Sequence, residues 1–484
     1  MTCSDLHILS WVERAMDEFV EEHAQDDEED FDLETEDFTT SLDLGETQVS
    51  VDLLAFHRTN KGALAALRRS STTPCLLARK ELMKGEEIHN HSRFFPCHLG
   101  DLMLVLLQER CKDENHPWTL VREFHKDDST MERPPSYSRV DLGSRGVYEV
   151  AVDAELHLQM GTHGAVLYMT HDNDGDRRFH FGVPKSQRLE ADRFFEELEE
   201  DVFSTLLKGL VMTSTYRVLD RSTYHDERLT LSKDIEDAID REVIQYVPLM
   251  KELEDIGVPS SRGVLLVGEP GTGKTMIVKH IVRSLTELSI IVVTPDELGR
   301  GSIRRIFQHA RRMSPCMVVL EDLDNVGAIS RDIAQHPILG ELLVAMDGTD
   351  GNSGVIAVAT TNNLNLLDGA IRARPGRFDR VIAVEAPSSD VRRSMLSRQM
   401  DTFGSQPENL DMRWLVRETE GLTGAYLNEV VKSAFIRSRQ RGSSCIEVLD
   451  LEEAVSDVVG SRKMATEGRR TSTSHSAPPS QLFA

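Results

Sequence analysis

No uninterrupted apolar run in the 484-residue chain is long enough to cross a membrane, for which about 18 residues are needed, so no membrane span is expected. The first residues carry no basic stretch followed by an apolar core, and no secretory signal is expected either. Close cysteine pairs are missing too. Cys3, Cys75, Cys97, Cys111, Cys316 and Cys445 are scattered, which fits a reducing, cytoplasmic setting. Positive charge is scarce: 55 Lys and Arg stand against 81 Asp and Glu, for a net charge of −26. Nonspecific nucleic-acid binding runs on lysine and arginine, so nucleic acid is not an expected partner. No tandem repeat is visible. The length is enough for two or three domains with cores of adequate size.

The organisation changes along the chain. Residues 1–24 read as an amphipathic helix that Ser4 or Asp5 caps, with Ile8, Trp11, Val12, Ala15, Met16 and Phe19 on one face. That stripe packs either on the chain's own next domain or on a partner. Residues 25–49, centred on Asp26–Asp30, are sharply acidic and read as a solvated, disordered linker that closes a first segment, 1–49. Residues 50–225 are expected to form an α+β domain. Its early part reads as mostly helical, as in Asp101–Leu107. Strands are expected at Val147–Val152, Ala165–Thr170 and Arg178–Phe181, and an amphipathic helix at Ala191–Lys208. His89, His91, Cys97, His98, Cys111 and His116 follow no regular zinc spacing and read as ordinary side chains. Asp172–Asp176 lacks the distal glutamate of a calcium loop and reads as a hairpin turn.

The most informative segment is Gly268-Glu269-Pro270-Gly271-Thr272-Gly273-Lys274-Thr275, a full match to G-x-x-x-x-G-K-[ST]. Gly263–Val267 before it reads as a buried strand, and the run from Met276 to Ile281 after it as a helix. In that setting the glycines let backbone N–H groups face phosphate oxygens, and the helix N-terminus adds positive potential. Lys274 would reach the β- and γ-phosphates, and the Thr275 hydroxyl would take a place on Mg²⁺. Cys316–Leu320 is a second apolar strand, which runs into Glu321, Asp322 and Asp324. Carboxylates at the C-terminal edge of a parallel strand lie where ligands bind in open α/β sheets. A third buried strand, Val355–Thr361, ends at Asn362. The segment Arg372–Arg380 then supplies a dense set of arginines, which stabilise charge on a transferring phosphoryl group.

Taken in order, GEPGTGKT, VVLEDLD, LGELLVAMDG (339–348), ATTN (359–362), RPGRFDR (374–380) and GLTGAYL (421–427) resemble the AAA family of ATPases within the AAA+ class, over about residues 229–460. The resemblance implies an α/β fold: a parallel-sheet P-loop domain, 226–388, followed by a small helical lid, 389–460. It implies ATP and Mg²⁺ as cofactors, held by residues 268–276 including Met276, with Gly424 and Ala425 where the lid meets the nucleotide. It also implies a homo-oligomeric ring, usually hexameric, with ATP bound between subunits. By position Glu321 joins Thr275 on the metal side, Asp322 polarises the attacking water and Asn362 is the sensor. Arg374 and Arg377 reach into the neighbour's site. Residues 50–225 fall where such proteins recognise a protein client. The tail 461–484 is Ser/Thr/Pro-rich and is expected to be disordered.

The chain departs from the family pattern in ways that bear on function. The family's acidic pair is Asp then Glu; here Glu321 precedes Asp322. This order is similar to that in the AAA translocase which inserts the Rieske iron–sulfur protein in mitochondria, although a membrane anchor like that family's is not expected here. Asp is one methylene shorter than Glu, and misplacement of a catalytic group on that scale costs ~10²-fold. The loop Thr294–Ser302, placed like the pore loop of protein-threading members, has no aromatic residue and would present Leu298 and Arg300 near the ring axis. The family's Gly-Gly on the adenine side is replaced by Leu229–Ile235. Two functions follow. One is an ATP-hydrolysing ring that remodels or assembles a protein client. The other is a nucleotide-gated scaffold or switch with slow hydrolysis and no threading.

Overall fold

The computed structural model describes residues 39–43, 48–52, 74–125, 135–171, 176–224, 229–298, 302–324, 337–347, 352–362, 377–403, 407 and 409–473. The chain divides into one unit of residues 1–84 with 127–133 and another of residues 85–126 with 134–484. In the first, β1 (Thr39–Asp43) and β2 (Gln48–Asp52) form an antiparallel hairpin, and α1 spans Pro74–Leu82. Part of the stretch expected as an acidic linker is therefore paired. Its Thr- and Val-rich ends favour extended backbone over a solvated coil. The amphipathic stretch 1–24 lies outside the described residues.

The second unit begins with an antiparallel sheet. Its elements are β3 (Ile88–Phe95), α2 (Cys97–Lys112), β4 (Trp118–His125), β5 (Ser136–Asp141), β6 (Val147–Val152), β7 (Ala154–Met160), β8 (His163–His171), β9 (Arg177–Pro184) and α3 (Arg188–Asp201). Five strands pair in the order β3-β9-β8-β7-β4, and β5 and β6 form a separate hairpin. The expected strands appear, and β8 and β9 pair antiparallel across residues 172–176. Among the described residues, the early part holds the strands β3 and β4 as well as the helices α1 and α2, so it is mixed rather than mostly helical. Both strands lie at sheet edges, and side chains such as His89, His91, Arg93 and Arg122 blur the alternation that marks a strand.

The parallel sheet follows. It is built from β10 (Val211–Thr213), β11 (Val218–Leu219), β12 (Arg262–Val267), β13 (Ser289–Val293), β14 (Cys316–Leu320), β15 (Val355–Thr361) and β16 (Arg380–Ala383), in the order β11-β10-β13-β14-β15-β12-β16. All its pairings are parallel except β10 with β11. β13, β14 and β15 are buried along their whole length, as uninterrupted apolar runs in a covered parallel sheet should be. Helices α4 (Lys233–Ile239), α5 (Tyr246–Asp255) and α6 (Lys274–Ser284) contribute to the core on one face. Helices α7 (Ser302–Arg312) and α8 (Pro337–Asp347) contribute to the core on the other. Four helices then form a lid with its own core: α9 (Ser389–Thr402), α10 (Met412–Glu418), α11 (Gly424–Gln440) and α12 (Val448–Thr473). α12 runs past the expected end of the lid at 460, since nothing in Arg462–Glu467 breaks a helix. No helix among the described residues is long and apolar enough to cross a membrane.

The antiparallel and parallel sheets share one core. Phe179, Phe181, Phe194, Phe195 and Phe203 belong to the same buried cluster as Ile291, Ile306, Phe307 and Leu320. At the seam, Arg312 of α7 donates to Glu199 at 3.0 Å and Glu200 at 2.7 Å, and its guanidinium covers the Phe203 ring. His309 hydrogen-bonds the Tyr216 hydroxyl and lies against Phe203. Burial, with Arg312 and Arg305 nearby, pushes the pKa of His309 down to about 4. Of the two residues expected near a ring axis, Arg300 lies outside the described residues and Leu298 is buried in this shared core. An apolar side chain packed there escapes water, which an axial position would not allow.

Truncating a buried phenylalanine typically destabilises a fold by about 3–5 kcal/mol. Phe203→Ala should do so for both sheets at once. In native-state hydrogen exchange, β8 and β14 amides are expected to lose protection at the same denaturant concentration. Loss in β8 alone would show that the cores are separate.

Candidate active site

Parallel pairing fixes the site. Val267 of β12 lies opposite Thr361 of β15, and Leu320 of β14 opposite Ala359. The loop after β12, the acidic end of β14 and the amide at the tip of β15 therefore emerge side by side. Each apolar run ends there because its next residues meet polar groups instead of core.

The loop 268–273 is shaped by its glycines. A Cβ at Gly268 would strike the Val384 carbonyl oxygen. Gly271 and Gly273 have φ of 82° and 102°, where side chains are strained. Thr272 is buried, and its hydroxyl donates to the Glu269 carbonyl at 2.9 Å. Glu269, Pro270 and Thr275 are exposed, and Met276 is half-buried. Lys274 opens α6 and is buried. Its Nζ donates to the carbonyls of Gly268 at 2.8 Å and Glu269 at 3.0 Å, and to Asn362 Oδ1 at 2.8 Å. Burial lowers its pKa, while Asp322 and Asp324 act the other way. At the far end of α6, Arg221 donates to the carbonyls of Leu285 at 2.7 Å and Leu288 at 3.0 Å. A cation is favourable at a helix C-terminus.

The acidic residues part company. Burial raises the Glu321 carboxyl, Asp322 adds to the rise, and Lys279 opposes it. Asp322 has φ of 50°, and its backbone N–H donates to the Thr360 hydroxyl at 2.8 Å. Among residues other than glycine, aspartate is several-fold enriched in that left-handed region, which gives a backbone reason for Asp rather than Glu there. Asp324 binds the tip of β15. Its Oδ1 accepts from Asn362 N at 2.9 Å and its Oδ2 from Asn362 Nδ2 at 3.1 Å. Burial alone would raise the Asp324 carboxyl, but these bonds outweigh it and hold the group below its ordinary range.

The lid closes one side. Ala425 N donates to the Gly271 carbonyl at 3.1 Å, and the Gly424 backbone adjoins the same oxygen. The Thr423 hydroxyl is buried beside Gly271 and has no hydrogen-bond partner among the described residues. On α9, Gln399 Oε1 is likewise buried and unpaired. Leu229, Thr230 and Leu231 line a cavity of about 410 Å³ with Glu236, His280 and Arg398. A cradle of backbone amides, a buried ammonium and the orphaned Thr423 hydroxyl fit a phosphorylated, polar ligand.

Of the expected site residues, Gly268, Glu269, Gly271, Lys274, Asn362, Gly424 and Ala425 meet one another, and Asp322 lies near Lys274. Arg374 lies outside the described residues. Arg377 is 6% exposed in the single chain, and its carbonyl lies against Gly263, where a Cβ would strike it. The neighbouring Asp379 accepts from Gly263 N at 3.3 Å. The roles of Asp324, Thr360 and Arg221 were not foreseen. Asp324 lies only two residues beyond Asp322, a spacing that flags it. Nothing in the sequence flags Arg221.

A model of the ATPase family associated with various cellular activities (AAA) matches residues 264–386. The chain is 33% identical over 233 residues to the ATP-dependent zinc metalloprotease FtsH 1 of Methylacidiphilum infernorum, covering 45% of this chain and 36% of that protein. It is 31% identical over 255 residues to FtsH 1 of a Thermoanaerobacter species, covering 49% of this chain and 41% of that protein. It is 32% identical over 242 residues to the proteasome-activating nucleotidase of Methanococcus vannielii, covering 47% of this chain and 58% of that protein. The chain spans less than two thirds of the length of each of these relatives.

A carboxyl held low in the fold stabilises fully above the ordinary range near about pH 4. That contribution fades as pH falls through the depressed native value. The protection factor of the Asn362 amide against hydrogen exchange should therefore persist below that range in the wild type, and be much reduced in Asp324→Ala at any pH. Equal protection in both proteins would remove Asp324 from this role.

Proposed function

Since the chain carries an AAA ATPase domain, we propose that it binds and hydrolyses Mg-ATP at the subunit interfaces of a homo-oligomeric ring, hexameric as in its family, and so remodels or assembles a protein client. The observation that supports this most is the buried Lys274 ammonium, held by carbonyls of the glycine loop and by Asn362. These acceptors hold the amine at the mouth of the glycine loop, where a helix N-terminus favours an anion. Mg-ATP, when bound, supplies the γ-phosphoryl group as electrophile. Lys274 would exchange its carbonyl partners for phosphate oxygens, and the loop amides would take the rest. Thr275 and Glu321 would hold the metal, Asp322 would orient and polarise the water, and Asn362, oriented by Asp324, would fix the γ-side. Arg374 and Arg377 serve the neighbouring subunit's site, and Arg377 must turn out of its buried position to do so. Residues 50–225 recognise the client.

Two observations favour a second reading, a nucleotide-gated scaffold or switch with slow turnover. Leu298 is buried and unavailable as an axial grip, and the water-side carboxylate is the shorter Asp322. Client-stimulated ATPase activity supports remodelling, and slow, unstimulated turnover supports the switch. Pull-down with a hydrolysis-dead variant, followed by identification of what it retains, tests the client.

Lys274→Ala should abolish ATP binding, since a charge-assisted contact to the β/γ-phosphates is lost. Asp322→Asn should keep binding and lose hydrolysis, because an amide is too weakly basic to polarise water. Glu321→Gln should weaken the Mg²⁺ dependence. Normal turnover in Asp322→Asn beside a dead Glu321→Gln would exchange the two roles.

Arg377→Ala should spare ATP binding and lower hydrolysis by ~10³-fold or more, the scale of an arginine supplied in trans. Sizing with ATP and Mg²⁺ provides the check. A chain that stays monomeric yet hydrolyses at full rate would rule out the interfacial site.

A further inference from the structure

Glu269 is an awkward neighbour for a phosphate cradle. It is the second residue of the loop, and its backbone carbonyl already accepts from Lys274 and Thr272. Its side chain is 70% exposed, and its carboxylate adds a negative charge to the loop that would hold a polyanion. The compensating cation comes from far along the chain. Arg462, in the last helix α12, directs Nη2 at Glu269 Oε2, 3.4 Å away, and donates from Nη1 to the Gly421 carbonyl at 2.7 Å. Its guanidinium also lies 5.8 Å from the ring centre of Tyr426 in α11. Gly421, at φ of 74°, precedes the start of α11, where Ala425 N donates to Gly271 of the same loop. A single planar guanidinium thus touches the phosphate loop, the turn before the lid helix and that helix itself.

We propose that Arg462 is a positioning residue of the nucleotide site. It offsets the Glu269 charge beside the bound phosphates, and it latches the N-terminus of α11 onto the loop. The proposal rests on the nucleotide reading given above. The two roles use separate nitrogens and are separable. The first needs only positive charge. The second needs the fork of the guanidinium, which a lysine ammonium does not reproduce. An exposed ion pair by itself contributes little. The leverage here would come from a bound polyphosphate, which an uncompensated carboxylate on the same loop would repel.

The test uses the full chain and two measurements: ATP affinity by calorimetry, and hydrogen exchange of the Ala425 amide without nucleotide. Arg462→Ala should weaken ATP binding roughly tenfold, as one unscreened like charge beside a polyanion would. In a Glu269→Gln background the same change should cost no more than about twofold, because the coupling is gone. Arg462→Lys should retain most of the affinity of the unmodified chain. Ala425 exchange should speed up in both Arg462→Ala and Arg462→Lys. An equal loss of affinity with and without Glu269, or no loss in either, would overturn the charge role. Unchanged Ala425 exchange would overturn the latch. Failure of the unmodified chain to bind ATP would sink the nucleotide reading and the charge role together. Faster Ala425 exchange in Arg462→Ala would still support the latch.

Discussion

The site depends on one buried ammonium. Taking a lysine head group out of water is strongly unfavourable unless oxygens replace the lost hydration. For Lys274 those oxygens come from two strand ends: two carbonyls after β12 and the Asn362 amide after β15. They meet only because β12 and β15 pair in parallel register, with Val267 opposite Thr361. A shift of register would leave the amine short of a partner. The acids of β14 follow from the same constraint, since Asp324 holds Asn362 and Thr360 holds the backbone of Asp322.

That arrangement puts the chemistry at the rim of one sheet and the coupling on its face. The lid approaches the rim through Ala425 and Arg462. The antiparallel sheet approaches the face through α3, Phe203 and α7. α7 follows directly on the segment that contains Leu298 and ends at Arg312, which pairs with Glu199 and Glu200. Movement of that helix is therefore shared with the antiparallel sheet by contact rather than through a slack tether.

What was legible in the sequence was local. The glycine loop, the apolar strands and the acids at their ends each carry a pattern within about ten residues, and all appear where the pattern sets them. What was not legible depends on partners distant in sequence. Nothing near Arg462 points to Glu269, which is 193 residues away, and nothing near Asp324 shows that it holds Asn362. The edge strands β3 and β4 were missed because half-exposed strands mix charge with apolar residues. The burial of Leu298 was not legible because an exposed loop and a buried one share the same short composition. The left-handed backbone at Asp322 turns an apparent irregularity of the acidic pair into a conformational preference.

The strand β10 carries a practical consequence. It lies before the boundary at 226 that motif matching suggests, yet it pairs with β13 through Val211, Met212 and Thr213. A fragment cut at 226 to isolate the parallel-sheet module would lose this strand along with β11. The backbone of Ile290, Ile291 and Val292 would become a free, apolar sheet edge, and such edges recruit strands from other molecules. A cut ahead of Leu210 would keep that border, and only a cut that also keeps Phe203 and α3 would leave the shared core covered.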